Sequence, residues 1–155
     1  MLEVGMGLSE DQDRAHLSIW AMMASPLILG NDLRSMPEST RKILTNRDAI
    51  AINQDKLGVQ AWRFRDEGDL EFYAKPLAND EWAIMVLNRS AQKVNYPFDW
   101  SKHHISDDLS KRSLEAGKST YSWREAWTGK TGDTTKKLDL NLAPHSVTLL
   151  RLKKG

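Results

Sequence analysis

The 155-residue sequence contains no cysteine, so disulfide bonds, thiolate metal ligands and thiol redox chemistry are excluded. It also lacks any hydrophobic run near the roughly 20 residues that span a bilayer, and its polar start, with Glu3 and the stretch Glu10 to Arg14, does not resemble a signal peptide. Neither sign of charge is in excess, since 22 basic residues accompany 21 acidic ones. A nucleic-acid binder that relies on a broad basic surface is therefore excluded. We expect a soluble globular chain with no membrane partner, no cofactor and no metal site.

Aromatic residues make up only 8% of the chain, yet six of them are tryptophans. Aromatic faces suit stacking on sugar rings, but large aromatic side chains more often fill a core. A sugar-binding surface would need several exposed rings, for which Trp62, Trp82 and Trp127 are the candidates. Trp82 begins an apolar run, so this side chain is predicted to face the core.

The first 58 residues carry helical signals. Ser9 and Gln12 form a capping-box pattern that predicts a helix from residue 10, and Pro26 would end that helix. The run Leu27 to Gly30 has no polar alternation. It therefore predicts a strand that is buried on both faces, as in a parallel sheet.

Two further helices are predicted after this strand. A second capping box with an early proline, Ser35 to Glu38, begins a helix that runs to about Leu44, and Asn46 can cap a short third helix. Helix, buried strand and helix is the order of an α/β layer, but one or two strands cannot close a parallel sheet. This part of the chain is therefore predicted to belong to something larger.

After Gly58 the hydrophobic period changes to two. Apolar and polar residues alternate in short segments that turn-rich stretches separate, and Trp82 to Leu87 is a fuller apolar run typical of a central strand. Seven or so short strands at this spacing predict an antiparallel sandwich. The stretch 99–119 is polar and aperiodic, and it is predicted to be a long surface connection.

Two blocks of the sequence are highly specific: RAHLSIWAMMASPLILGNDLR at 14–34 and IAINQD at 50–55. Weaker blocks lie at 1–5, 82–90, 124–127 and 143–152. In order and spacing, these blocks closely resemble glycoside hydrolase family 27, which contains α-galactosidases and α-N-acetylgalactosaminidases. The resemblance extends over nearly the whole chain.

The resemblance implies a fold that is α+β overall. Residues 1–58 would be the terminal units of a (β/α)8 TIM barrel, with barrel strand eight at Leu27 to Gly30. Residues 59–155 would be an all-β antiparallel Greek-key sandwich. This division agrees with the change of hydrophobic period near residue 58.

The resemblance also implies a retaining glycosidase. Such enzymes use two carboxylates about 5–5.5 Å apart, one as nucleophile and one as acid/base. In the family these carboxylates follow barrel strands four and six, which match no part of this sequence, so no catalytic residue is predicted here. Met1 is the one position that matches the family's substrate-binding motif. The sequence Lys137 to Asp139 is similar to the nucleophile motif, but its alternation places Asp139 in a sandwich strand.

Two functions are compatible with these patterns. The first is the C-terminal fragment of an α-galactosidase-like hydrolase that acts on terminal α-galactosides. This fragment would be non-catalytic by itself, with its sandwich buttressing the barrel. The second is a free-standing, non-catalytic carbohydrate-binding or interaction module. Helix faces around Ile19, Trp20 and Met23, which a full barrel would cover, are predicted either to collapse onto the sandwich or to cause self-association.

The other acidic and histidine motifs favour structural interpretations. Asp107 and Asp108 are expected to be solvated neighbours. His103 and His104 have no third ligand nearby in the sequence, so a surface loop is favoured over a metal site. His16 shares a helix face with apolar residues and is predicted to be a hydrogen-bonded core histidine.

Two asparagine motifs are also assigned to local structure. Asn31 and Asp32 follow the predicted strand, where we expect loop capping and an ion pair between Asp32 and Arg34. Asn88 begins a glycosylation sequon with Ser90, but it lies at a predicted strand end, where a role in the turn is favoured.

Overall fold

The computed structural model describes residues 1–155 as three short α-helices followed by ten strands, with a one-turn 3-10 helix, Trp100–Lys102, between the fourth and fifth strands. The helices are α1 (Glu10–Met22), α2 (Glu38–Leu44) and α3 (Arg47–Asn53). The strands are β1 (Trp62–Glu67), β2 (Leu70–Pro76), β3 (Trp82–Asn88), β4 (Val94–Phe98), β5 (Ile105–Asp107), β6 (Arg112–Leu114), β7 (Tyr121–Glu125), β8 (Thr131–Asp133), β9 (Leu138–Leu142) and β10 (Val147–Lys154). None of the helices has the length and hydropathy that crossing a membrane requires.

Six strands form the main antiparallel sheet, in the order β1-β2-β3-β10-β7-β8. The pairs β4–β9 and β5–β6 form two smaller antiparallel sheets. The last strand, β10, pairs with β3 on one side and with β7 on the other, so C-terminal residues occupy the centre of the main sheet. The architecture is a small β-sandwich with few helices, as the alternation after Gly58 predicted.

The main sheet is buried on both faces. Successive side chains of a strand point to opposite sides, and here Phe72 and Ile84 join the core under the smaller sheets. Met85 and Leu149 join a second core under the helices. Strand β3 is buried at nearly every position, which explains its continuous apolar run. The chain therefore has three layers, with the main sheet between the helices and the smaller strands.

Two of the three predicted helix starts are confirmed. Ser9 accepts a hydrogen bond from the Gln12 backbone and Gln12 bonds back to Ser9, which completes the capping box of α1. Asn46 accepts from the backbone of Ala49 at the start of α3. The prediction of a second capping box is wrong, because α2 begins after Pro37 and has no side-chain cap. Ser35 precedes the N-cap by two residues and lies in a turn, where its N–H donates to Asp32.

The face of α1 that is most deeply buried differs from the predicted one. Leu17 and Ala21 lie in the core under the helices, whereas Ile19, Trp20 and Met23 are half-buried at its margin. Most of the circumference of α1 is apolar, so the hydrophobic pattern alone did not select the stripe that faces the sheet. The helices pack on the main sheet, which is one of the two outcomes expected from the sequence. Self-association remains a prediction.

The prediction of a buried strand at Leu27 to Gly30 is wrong. The segment makes a single parallel bridge, between Leu2 and Leu29, and Ile28 and Leu29 are 59% and 41% exposed. A strand of a parallel sheet is buried only when strands and helices surround it. In this structure the segment has one neighbouring strand segment, the residues around Leu2, so its apolar side chains remain in solvent.

The stretch 99–119 also differs from its prediction as a surface connection. It contains the β5–β6 hairpin and contributes Trp100, Ile105 and Leu114 to the core under the smaller sheets. Each of these strands has only three residues, which is too short to show a period in the sequence. The stretch is therefore part of the second layer of the sandwich.

Candidate functional site

Two extended segments at the start of the chain lie side by side and form the candidate site. The Leu2 N–H donates to the Ile28 carbonyl at 3.0 Å, and Leu2 and Leu29 form a parallel bridge. Leu2 and Val4 are buried in the core under the helices. The two segments therefore pack against the helices through Leu2 and Val4, while other side chains of the segments, such as Ile28, are exposed to solvent. We call the exposed part the open side.

The turn that follows the first segment requires glycine. Gly5 has a φ of +77°, and a Cβ at this position would lie 2.5 Å from Cγ2 of Thr40. Asp13, a buried residue of α1, accepts a hydrogen bond from the Gly5 N–H at 2.9 Å. Helices α1 and α2 thus set the direction in which the chain leaves Val4.

The loop after the second segment confirms the local predictions. Asn31 Nδ2 donates to the Val4 carbonyl at 2.8 Å, which joins the ends of the two segments. Asp32 accepts from Arg34 Nε and Nη2 at 2.9 and 2.8 Å. These hydrogen bonds hold the pKa of the Asp32 carboxyl below its usual value, so Asp32 is an ionised partner of Arg34 and a poor proton donor.

Five exposed apolar side chains lie in the two segments or in the turn and loop that follow them, and we call them the apolar rim: Met1, Met6, Ile28, Leu29 and Leu33. Met1 is 77% exposed. Its methyl group and that of Met6 lie over Gly30, where an added Cβ would be 3.4 and 3.2 Å from them. The structure thus places the predicted substrate-binding residue, Met1, on this rim, and its role toward substrate stays a prediction.

The buried carboxylates are all engaged within the chain. Asp13 holds the Gly5 turn, and Asp107 accepts from the Ser110 N–H at 2.6 Å, so Asp107 is not the solvated residue that the sequence predicted. Glu125 accepts four hydrogen bonds from the segment after β7 and from β10. Asp139, by contrast, is an exposed residue of β9, in agreement with its prediction as a sandwich residue.

The fourth buried carboxylate, Glu71, lies in an ion network on the helix-facing side of β2. Arg63 and Arg89 donate to one oxygen at 2.7 and 2.9 Å, and the Tyr73 hydroxyl donates to the other at 2.8 Å. Burial acts to raise the pKa of Glu71, but these hydrogen bonds outweigh it and the pKa lies below its usual value. A general acid requires a raised pKa, so Glu71 is suited to a structural role.

The histidine motifs have structural contacts. His103 stacks on Phe98 at 4.5 Å, and burial, together with the nearby Arg65, lowers its pKa. His104 is exposed, and no group of three or more acidic or histidine side chains is arranged for a metal ion. His16 accepts from the Glu3 N–H at 3.4 Å, as a hydrogen-bonded histidine should, but it is half-buried rather than part of the core.

Asn88 has the predicted role in a turn. Its side chain is fully buried and donates to the carbonyls of Gln92 and Ala143 at 2.7 and 2.9 Å. Its amide oxygen accepts from the N–H and the hydroxyl of Ser90. The amide of this sequon is therefore occupied by the turn between β3 and β4.

The candidate tryptophans do not form a stacking platform. Trp82 is buried and Trp62 packs against it edge-on at 6.1 Å, on the side of the main sheet that faces the smaller sheets. Trp127 packs on the other side, under the helices, and its indole N–H donates to Ser18 at 3.1 Å. Trp123 and Trp127 both line a cleft of about 290 Å³ beside β9. The N–H of Trp123 is also engaged within the chain, by the Asp133 carbonyl.

Known protein families match both the helical part and the sandwich part of the chain. The family model described as the alpha galactosidase C-terminal beta sandwich domain matches residues 67–152, and the model described as alpha galactosidase A matches residues 1–55. Alpha-galactosidase A of Cellvibrio japonicus is 52% identical over 98% of this chain, and an alpha-galactosidase of Oryza sativa is 36% identical over 94% of it. The chain spans 38% and 33% of the lengths of these two relatives.

A solved structure gives the same result. Alpha-galactosidase I from Mortierella vinacea superposes with a TM-score of 0.79 and 31% identity, over 98% of this chain and 38% of that protein. The similarity thus extends across the helices as well as the sandwich. The chain belongs to glycoside hydrolase family 27, the α-galactosidase family, and corresponds to its C-terminal portion with the β-sandwich domain.

Proposed function

We propose that this chain is the non-catalytic C-terminal part of a retaining hydrolase that acts on terminal α-galactosides. Residues 1–58 are the last units of a (β/α)8 barrel, and residues 59–155 are a Greek-key sandwich that buttresses the barrel. The observation that carries the proposal is the parallel Leu2–Leu29 bridge with an open side. The match of residues 1–55 to the family model supports it.

The packing of the two segments agrees with a partial barrel. In a (β/α)8 barrel every strand has a parallel neighbour on both sides, helices cover the outer face and side chains fill the interior. Here the helices already cover Leu2 and Val4, whereas Ile28 and Leu29 are uncovered. The apolar rim is therefore the place where further barrel strands and the interior layers would pack.

We assign catalysis to the rest of the barrel, because of the state of the carboxylates in this chain. A retaining mechanism needs two free carboxylates that face one sugar bond. The four buried carboxylates of this chain are engaged by internal donors, and Asp32 is paired with Arg34. The chain thus provides the support, and on the rim it provides Met1 as its one proposed contact to the galactoside.

The test joins this chain to the upstream part of a relative such as the Cellvibrio japonicus enzyme. We expect the chain alone to leave a chromogenic α-galactoside intact and the joined protein to hydrolyse it.

Ile28→Asp in the joined protein should lower kcat/KM by about a hundredfold, because a charge on the rim disturbs the barrel strands. Leu109→Asp is the control, since Leu109 is also exposed (76%) but lies in the β5–β6 turn.

Two results would contradict the proposal. One is hydrolysis by the chain alone that disappears when one of its own acids is replaced. The other is a joined protein that folds but does not hydrolyse the galactoside. The free-standing binding module gains no support from the three candidate tryptophans, because Trp62 and Trp82 pack on one side of the main sheet and Trp127 packs on the other.

The apolar rim also makes self-association of the isolated chain an expected result. Ile19, Trp20 and Met23, from which the sequence predicted it, are half-buried, so the exposed apolar area lies at the rim instead. Sedimentation velocity should show association that increases with concentration, and Ile28→Asp should weaken it while Leu109→Asp does not. A monomer at all concentrations, with the rim intact, would show this prediction to be wrong.

A further inference from the structure

Lys75 is a charged residue buried at the junction of the helices and the main sheet. It lies on the helix-facing side of β2 and is 1% exposed. Its Nζ donates to the carbonyl of Ala21 at 2.9 Å and to the carbonyl of Ile52 at 2.8 Å. These carbonyls belong to the last turns of α1 and α3, so one ammonium group joins two helix ends to the sheet.

The electrostatic surroundings favour a cation at this place. The carbonyl ends of helices carry partial negative charge, and neither α1 nor α3 has a basic residue of its own in its last turn. Burial lowers the pKa of Lys75 to about 8, and the negative charge of nearby Asp55 acts in the opposite direction. Tyr73 precedes it on the same face of β2, and Ala83 is its uncharged partner on β3.

Beside the shared apolar core, the other polar contacts between the layers each involve a single helix. Asn46 donates to the Ala126 carbonyl at 2.8 Å, and the Trp127 indole donates to Ser18 of α1 at 3.1 Å. Arg124 forms an exposed ion pair with Asp48 of α3 at 3.0 Å. Exposed pairs of this kind contribute little to stability. Lys75 differs from these contacts because it is buried, charged and bonded to two helices at once.

We propose that Lys75 is a clamp that makes the helices and the β-sandwich unfold as one cooperative unit. Without its ammonium group, two buried carbonyls lose a charged donor, and both helix ends lose a bond to the sheet. The sandwich keeps its own core under the smaller sheets, so the loss falls on the helices. This inference concerns the chain itself and holds whether or not the chain takes part in sugar hydrolysis.

The test compares native-state hydrogen exchange in the wild-type chain and in Lys75→Met. In the wild type, we expect amides of α1 and α3 to open together with those of β3 and β10. In Lys75→Met, the helix amides should exchange at least about tenfold faster relative to the strand amides, because the helices open separately. Lys153→Met removes an exposed lysine from the same side of the main sheet and should change neither set.

Two outcomes would overturn this proposal. Equally faster hydrogen exchange of the helix amides and the strand amides would show that Lys75 contributes to stability without coupling the layers. If Lys75→Met does not fold, Lys75→Gln, which can still donate to the helix carbonyls through its amide, is measured in the same way. Loss of protection throughout the chain in both variants would also contradict the proposal, because the sandwich is proposed to stand without the clamp.

Discussion

Replacing Trp82 with alanine is expected to lower the free energy of unfolding by about 3–5 kcal/mol. Trp82 is 1% exposed and begins β3, between Pro76 of β2 and Leu152 of β10. Its ring packs edge-on against Trp62, and the Arg112 guanidinium lies 5.7 Å from its centre. The free energy of unfolding of ordinary domains is about 5–15 kcal/mol. This single change is therefore expected to remove a large part of the stability of the chain.

Urea unfolding monitored by far-UV circular dichroism measures this effect. Trp20→Ala is the matched control, because Trp20 is half-buried on α1 and its ring stacks on His16 at the margin of the helices. We expect its midpoint to fall by less than half as much as that of Trp82→Ala. Equal midpoints for the wild type and Trp82→Ala would show that the core around β3 does not hold the sandwich together.

Features of the fold that depend on neighbours in the sequence could be predicted from it. The capping box of Ser9 and Gln12 involves residues three apart, and most of the longer strands after Gly58 show their burial in their own hydrophobic pattern. The segment Leu27 to Gly30 was predicted wrongly for the opposite reason. Its apolar side chains indicate burial, but burial depends on strands that must come from elsewhere in the fold.

The same distinction applies to the candidate site and to the other side-chain contacts. The Asp32–Arg34 pair is two residues apart and was predicted, as was the turn that Asn88 makes with Ser90. Lys75 was not, because its bonds reach carbonyls 54 and 23 residues away in the chain. A lysine at a helix-facing position of a strand was the only available signal, and it cannot be distinguished from an exposed lysine without the register of the sheet.

Replacing Glu125 with alanine is the second change with a large expected effect. Its Oε2 accepts from the N–H of Trp127 at 3.0 Å and from the N–H and hydroxyl of Thr128 at 2.6 and 2.7 Å. Its Oε1 accepts from the Leu149 N–H at 3.3 Å, in the centre of the main sheet. Removal of the carboxylate leaves these four donors without their acceptor, and we expect a loss of about 2–4 kcal/mol in the free energy of unfolding.

The position of Trp127 distinguishes this role from a general loss of packing. The turn that Glu125 holds brings the Trp127 indole to Ser18 of α1, so Glu125→Ala should shift the indole N–H resonance of Trp127 before the sandwich unfolds. Glu125→Gln keeps one oxygen acceptor and should give a smaller loss of stability. Asp139→Asn, at an exposed position of β9, is expected to change neither quantity. If Glu125→Ala keeps both the wild-type resonance and the wild-type midpoint, the carboxylate is dispensable. The turn would then be held by its backbone hydrogen bonds, such as the one that the Gly129 N–H donates to the Glu125 carbonyl at 2.9 Å.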